Sequence, residues 1–303
     1  MVRELDPTRS PGREVRRVVR HRVRDTIDLL ERITPTPDAD PLRCDGVEVV
    51  EAVHAARRNC KEVRALLHLT DHSAEQRTMG PVRELDRAVR DAARALAPIR
   101  DAHVAAAMVT APLGAAAPTD RGADRHAPTI ATPACREATV TAIAHLRRAH
   151  ELTERIATSD DLTALERGLH RTGARCRRAF VRARRRPTAR RLHEWRTWNK
   201  RLWYQVRFLS ATAPSVLEPL AQLLDLVGET LGEVHDLDVF LAGDRATSLT
   251  GDERAELSRR RDAQARDAVR WGATIHAEPA SGFAERLVTL WEVAAGQGPE
   301  PAR

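Results

Sequence analysis

The plainest pattern in the chain runs from Leu192 to Leu209, LHEWRTWNKRLWYQVRFL. At about 100° per residue, His193, Arg196, Lys200, Tyr204 and Arg207 fall along one side of a helix. Leu192, Trp195, Trp198, Leu202, Val206 and Leu209 fall on the other. One side predicts core and the other a basic strip. An earlier segment, VHAARRNCKEVRALL, repeats the arrangement, with His54, Arg57, Lys61 and Arg64 opposite Val49, Val53, Ala56, Cys60, Val63 and Leu67.

The same periodicity predicts helices along the rest of the chain. A first runs over 12–33, stopped by Pro35 and Pro37, and carries a stripe at Arg13, Arg17, Arg20 and Arg24. The second starts from a cap at Asp45 and runs to Thr70. The third runs from Glu75 or Pro81 to Val109, with Pro98 predicting a kink or break. Residues 110–133 are rich in Ala, Pro, Gly, Thr and Asp and predict a mobile loop. A fourth helix follows over 133–157. A fifth, capped by Ser159 or Asp160, ends before Pro187 and repeats the stripe at Arg171, Arg175, Arg178, Arg182 and Arg185. The sixth is the stretch first described, ended by Pro214. Helices over 216–242, 252–277 and 282–295 complete the chain. No segment alternates with a period of two, so the fold class is all-α.

The order of a stripe helix, a His-centred helix and a helix ending in Arg or His before Asp occurs twice. His193 lies 139 positions after His54, and Asp236 lies 135 after Asp101. Four helices per half predict two four-helix bundles related by a pseudo-two-fold axis. The halves are 13–158 and 159–295, between a flexible leader at 1–12 and a flexible tail at 296–303. In that arrangement the two basic strips could converge on a central groove or pore.

Composition narrows the function. Hydrophobic residues make up 42% of the 303 and charged ones 31%, too apolar for a disordered chain. No run approaches a membrane span, no signal peptide is visible, and the expected location is cytoplasmic. Cys44, Cys60, Cys135 and Cys176 form no C-x-x-C pair and are expected as free thiols. A net charge of +7 and a pI near 10.1 point to an anionic partner. Lysine occurs only at Lys61 and Lys200, so arginine, whose planar fork matches phosphate oxygens, supplies nearly all the positive charge.

The segments HAARRNCKEVR and HEWRTWNKRLWY, with Arg100–Asp101 and LGEVHD at 231–236, resemble the CHAD family, the conserved histidine α-helical domain, over roughly 12–295. The resemblance implies two four-helix bundles around a positively charged groove or pore and binding of inorganic polyphosphate, commonly without catalysis. Carried over by position, the family's basic residues fall on His54, Arg57, Lys61 and Arg64, and on His193, Arg196, Lys200 and Arg201. Glu62, Thr197 and Trp203 depart from the family's basic pattern. Arg17, Arg20, Arg24, Arg175, Arg178, Arg182 and Arg207 are further candidate contacts. Asp101 and Asp236 are expected to position neighbouring cations, since a carboxylate aimed at polyphosphate would repel it.

No cofactor or metal ligand set is expected. The His235–Asp236 dipeptide is a weak sign of a metal-dependent phosphohydrolase, and neither a P-loop nor a nucleophile elbow occurs. Nucleic acid is the rival partner, but aromatic residues are 3% of the chain, a poor supply for stacking bases. An association with polyphosphate granules is a further expectation for the location.

Overall fold

The computed structural model describes residues 4–34, 46–69, 80–100, 132–156 and 161–296. Among them are nine α-helices and no strand. They are α1 (Pro11–Ile33), α2 (Gly46–Leu67), α3 (Pro81–Ala95), α4 (Thr132–Thr153), α5 (Leu162–Arg185), α6 (Ala189–Leu209), α7 (Pro214–Ala242), α8 (Gly251–Ile275) and α9 (Ala280–Ala294). No described helix is long and apolar enough to cross a membrane.

The helix ends follow local chemistry. Pro11, Pro81 and Pro214 open α1, α3 and α7, where the missing N–H costs nothing. Pro214 therefore starts α7, two residues before the predicted Val216. The cap of α5 is Asp161, one residue past the expected Asp160, because its carboxylate accepts from the Thr163 N–H (2.9 Å) and hydroxyl (2.7 Å). Thr250 and Glu253 form a capping box ahead of α8 that the sequence reading passed over. Pro98 marks a break rather than a kink: α3 ends at Ala95, Leu96 is a turn, and helix resumes over 97–100. The expected loop at 110–133 falls largely outside the described residues.

Within the first half, α1 packs on α2 and α4, and α3 packs on the same two helices. Within the second, α6 lies against α5 and α7, α8 lies on α7 and reaches α5, and α9 covers α5. Helices α2 and α6 touch directly. There the Gln205 amide donates to the Ala65 carbonyl at 3.0 Å, wholly buried. At Gly168 of α5 an added Cβ would sit 1.8 Å from the Leu69 carbonyl oxygen, so only glycine admits this approach to the end of α2. One apolar core runs through both halves, from Leu5 to Trp291.

The leader expected to be flexible is docked where it is described. Leu5 is 1% exposed, and its N–H donates to the Phe208 carbonyl at the end of α6 (2.8 Å). A buried leucine and a satisfied backbone donor outweigh the loop-like Pro7, Pro11 and Gly12.

Candidate functional site: a cation-rich junction

Because α2 and α6 pack together, their basic strips meet. Lys61 of α2 is exposed yet crowded by protein. Burial, followed by the charges of Arg196, Arg57, Lys200 and Arg100, pushes its pKa down to about 8. All four of the charged neighbours are cations, so like-charge repulsion lowers the pKa along with desolvation.

The helices that follow α2 and α6 steer these side chains. Arg57 donates to the Ala93 carbonyl on α3, and Arg196 lies against Gly232 on α7, whose added Cβ would meet Nη2 at 3.1 Å. The two pairs are related by the 139 positions that separate His54 from His193. Asp86 and Asp225 share the offset. Asp86 takes Arg64 at 2.8 Å, whereas Asp225 takes Lys200 at 3.1 Å. Both acids are therefore visible in the sequence at the interval that separates His54 from His193.

One turn along, Arg201 meets Arg64 and Arg175. Burial first, then those two guanidiniums against the opposing Asp86, lower it to about 10. His68, which the sequence reading missed, joins them: burial, then Arg201, Arg64 and Arg171, hold its imidazole well below the usual range against the pull of Asp86. Trp198 underlies this group, with Arg201 4.4 Å and Arg175 5.0 Å from its ring centroid. Trp203 has Lys200 at 4.4 Å and Arg207 at 4.8 Å from its ring centroid. It holds two cations in place of supplying one.

At the other end of the junction the His193 and His235 rings lie 4.8 Å apart, centroid to centroid. Burial, His235 and Arg196 lower the His193 pKa. Asp236 is half-buried, and burial raises its pKa against the attraction of Arg196, His235 and Arg100. Its charge thus acts on Arg196 through space. Asp101 lies outside the described residues; its neighbour Arg100 belongs to the junction. His54 is half-buried on the same side of α2. No group of three His, Cys, Asp or Glu side chains among the described residues is arranged to hold a metal.

Other candidates stand elsewhere. Arg17 is clasped by Glu14 at 2.7 and 2.6 Å, Arg20 pairs with Glu154 just past the end of α4, and Arg24 is exposed. On α5 the stripe divides: Arg175 enters the junction, Arg182 pairs with Glu194 at 2.5 Å, and Arg178 and Arg185 are exposed. Tyr204 is buried, not part of the basic strip. Glu62 turns inward: its Oε2 lies 3.0 Å from Arg22 Nε, with side chains 8% and 7% exposed. The pair is close but not aligned as a hydrogen bond. Glu62 therefore balances a buried arginine on α1. Of the cysteines, Cys60, Cys135 and Cys176 are free and buried; Cys44 is outside the described residues.

The fold and the junction define an all-helical protein with a concentrated set of cations between two central helices. The CHAD domain model matches residues 29–243, most of the chain, and the chain belongs to that family. The match takes in α2 to α7 and the end of α1, so it is narrower than the resemblance over 12–295 and leaves out α8 and α9. No curated protein and no solved structure matches the chain.

Proposed function

We propose that the protein binds inorganic polyphosphate along the junction of α2 and α6 and does no chemistry on it. Helices α1–α4 and α5–α8 are read as two four-helix bundles related by a pseudo-two-fold axis, with the basic groove where α2 meets α6. Equal spacing of the pairs Arg57–Ala93 and Arg196–Gly232 supports that reading.

The observation that carries the function is the setting of Lys61, open to water among Arg57, Arg100, Arg196 and Lys200. Such crowding costs free energy in the empty protein and is relieved by a polyanion. A helix offers one cation per turn, about 5.4 Å apart, so two adjoining helices present a ladder to successive phosphates. Family membership points the same way. Duplex or single-stranded nucleic acid is the weaker reading, because Trp198 and Trp203 already carry cations on their rings and Trp195 is buried, which leaves little for bases to stack on.

Isothermal titration with polyphosphate of defined length at two salt concentrations tests this. The expected result is tight binding that weakens steeply with salt, by analogy with counterion release. Displacement of long-chain polyphosphate by duplex DNA at equal phosphate concentration would overturn it.

A further inference from the structure

The end of α5, the turn after it and the start of α6, residues 182–191, read RARRRPTARR, six arginines and no acid in ten residues. Arg184, Arg185, Arg186 and Arg190 are all exposed. Among the described residues the side chains of Arg185, Arg186 and Arg190 have neither an ion pair nor a hydrogen bond. A like-charged knob of this kind would ordinarily be left loose.

Here it is fixed. The Arg186 N–H donates to the Arg182 carbonyl (3.2 Å), and the Thr188 N–H to the Arg186 carbonyl (2.9 Å), around Pro187. From α8, Arg261 reaches over to donate to the Pro187 carbonyl at 2.9 Å. Arg261 is only 11% exposed and is gripped by Asp238 of α7 at 2.9 and 3.4 Å. A nearly buried guanidinium thus pins the turn, and a fixed backbone lowers the cost of ordering the turn itself when its arginines hold a ligand.

The turn also continues the strip of α6. Arg190 lies one helical turn before His193, and His193 lies beside Arg196. From Arg190 to Lys200 the helix rises about 15 Å.

We propose that this turn is an outer phosphate-binding site, engaged only by a polyphosphate chain long enough to leave the central junction, so that the protein selects for chain length. The inference rests on the polyphosphate reading of the junction. A chain held at the centre presents its free end to the turn at high effective concentration, which a short chain cannot do.

The test compares tripolyphosphate, too short to span the roughly 15 Å from Lys200 to Arg190, with chains of about 100 phosphates, each titrated against the wild type and the triple variant Arg185→Ser, Arg186→Ser, Arg190→Ser. The long chain is expected to lose roughly ten-fold in affinity, and its salt slope to fall by about two, near 0.7 per lost phosphate contact. The short chain is expected to bind as it does to the wild type. A triple Arg→Lys variant keeps the charge and should keep the salt slope, which separates loss of contacts from loss of fold. Unchanged long-chain binding in the Ser variant, or equal loss for both lengths with its helical circular dichroism intact, overturns the outer site alone. Failure of the wild type to bind either length overturns both readings.

Discussion

Helices α1 and α6 both present a cation on nearly every turn, yet they use them differently. On α1 the arginines meet acids: Arg17 is held by Glu14, Arg20 by Glu154, and Arg22 faces inward to Glu62. Even the surface hollow of about 640 Å³ beside Thr8, Arg9, Ser10, Arg13 and Arg17 has an anion of its own in Glu14. Burial raises the pKa of that carboxyl, but Arg17 and the Asp6 N–H more than reverse this, leaving it lowered. On α6, Lys200 has Asp225 and Arg196 has Asp236 nearby, while among the described residues burial and neighbouring cations still lower the pKa values of Lys61, Arg196 and Arg201 at the same junction. Spacing decides which face a cation occupies. The acids on the neighbouring helices decide whether it is left for a ligand.

The largest effect should come from breaking the inward pair of α1. Arg22→Ala leaves Glu62 charged and buried, and removing one partner of a buried pair costs about 3–5 kcal/mol. The lower end of that range is expected, because the pair is not aligned as a hydrogen bond. Urea unfolding should show a lower midpoint, with polyphosphate affinity of the folded protein unchanged. A midpoint like that of the wild type would show that Glu62 is not held by Arg22.

The double variant Arg196→Glu, Lys200→Glu should reverse that outcome. Binding is expected to fall about 100-fold, near 2.7 kcal/mol, with helical circular dichroism unchanged. Arg17→Ser with Arg20→Ser, two cations already neutralised on α1, should change affinity by less than about three-fold. If the α1 variant loses as much as the α6 variant, the contrast between the two helices is wrong and the ligand covers both.

Much of this was legible in the sequence, and the rest was hidden for identifiable reasons. Apolar periodicity marks every described helix, and the repeat of His54 at His193 selects the two helices that meet. The sequence does not reveal that Tyr204 turns inward beside Gln205, because an aromatic at the edge of a helical face fits either side. His68 was missed because it lies beyond the expected motif, at the end of α2 where Arg64, Arg201 and Arg171 gather. Glu62 looked like a defect in the basic strip, and only the packing of α1 on α2 shows its partner. Asp86 and Asp225 were within reach, since they repeat at the interval of His54 and His193.

The junction also predicts a pH dependence of known sign. Lys61 has an ordinary pKa of 10.5, lowered in the fold to about 8. In the free protein it loses its proton as pH rises through about 8, and a bound polyanion favours keeping it. Affinity should therefore fall above pH 8, by at most about ten-fold per pH unit for one proton, with proton uptake on binding between about 8 and 10.5. Titration in two buffers of different ionisation enthalpy measures that uptake, which Lys61→Arg should abolish. Without ligand the sign is opposite for stability: the unfolded chain holds this proton more tightly, so Lys61 contributes a stability that grows as pH rises from about 8 toward 10.5. No proton uptake in the wild type would place Lys61 away from the ligand.

The smallest effect is at Gly232, where the two halves differ by a single methyl group. Position 93 on α3 already has a Cβ, and Arg57 meets the backbone carbonyl there. At 232 the Cβ is missing and Arg196 fills the space, with Nη2 3.1 Å and Nε 3.4 Å from where it would stand. Gly232→Ala should raise helix stability by up to about 1 kcal/mol, because the guanidinium is the movable end of a long side chain and can shift by a few tenths of an ångström. That shift displaces Arg196 from the junction and should weaken polyphosphate binding about two- to five-fold, well short of the charge reversal. Ala93→Gly, the reciprocal change, should lower stability by a similar amount and leave affinity unchanged, since Arg57 is held by a carbonyl that any residue supplies. Matched thermal melts and titrations of the two variants decide the matter. A gain in stability from Gly232→Ala with no change in affinity would mean that Arg196 reaches the ligand from a position the glycine does not set.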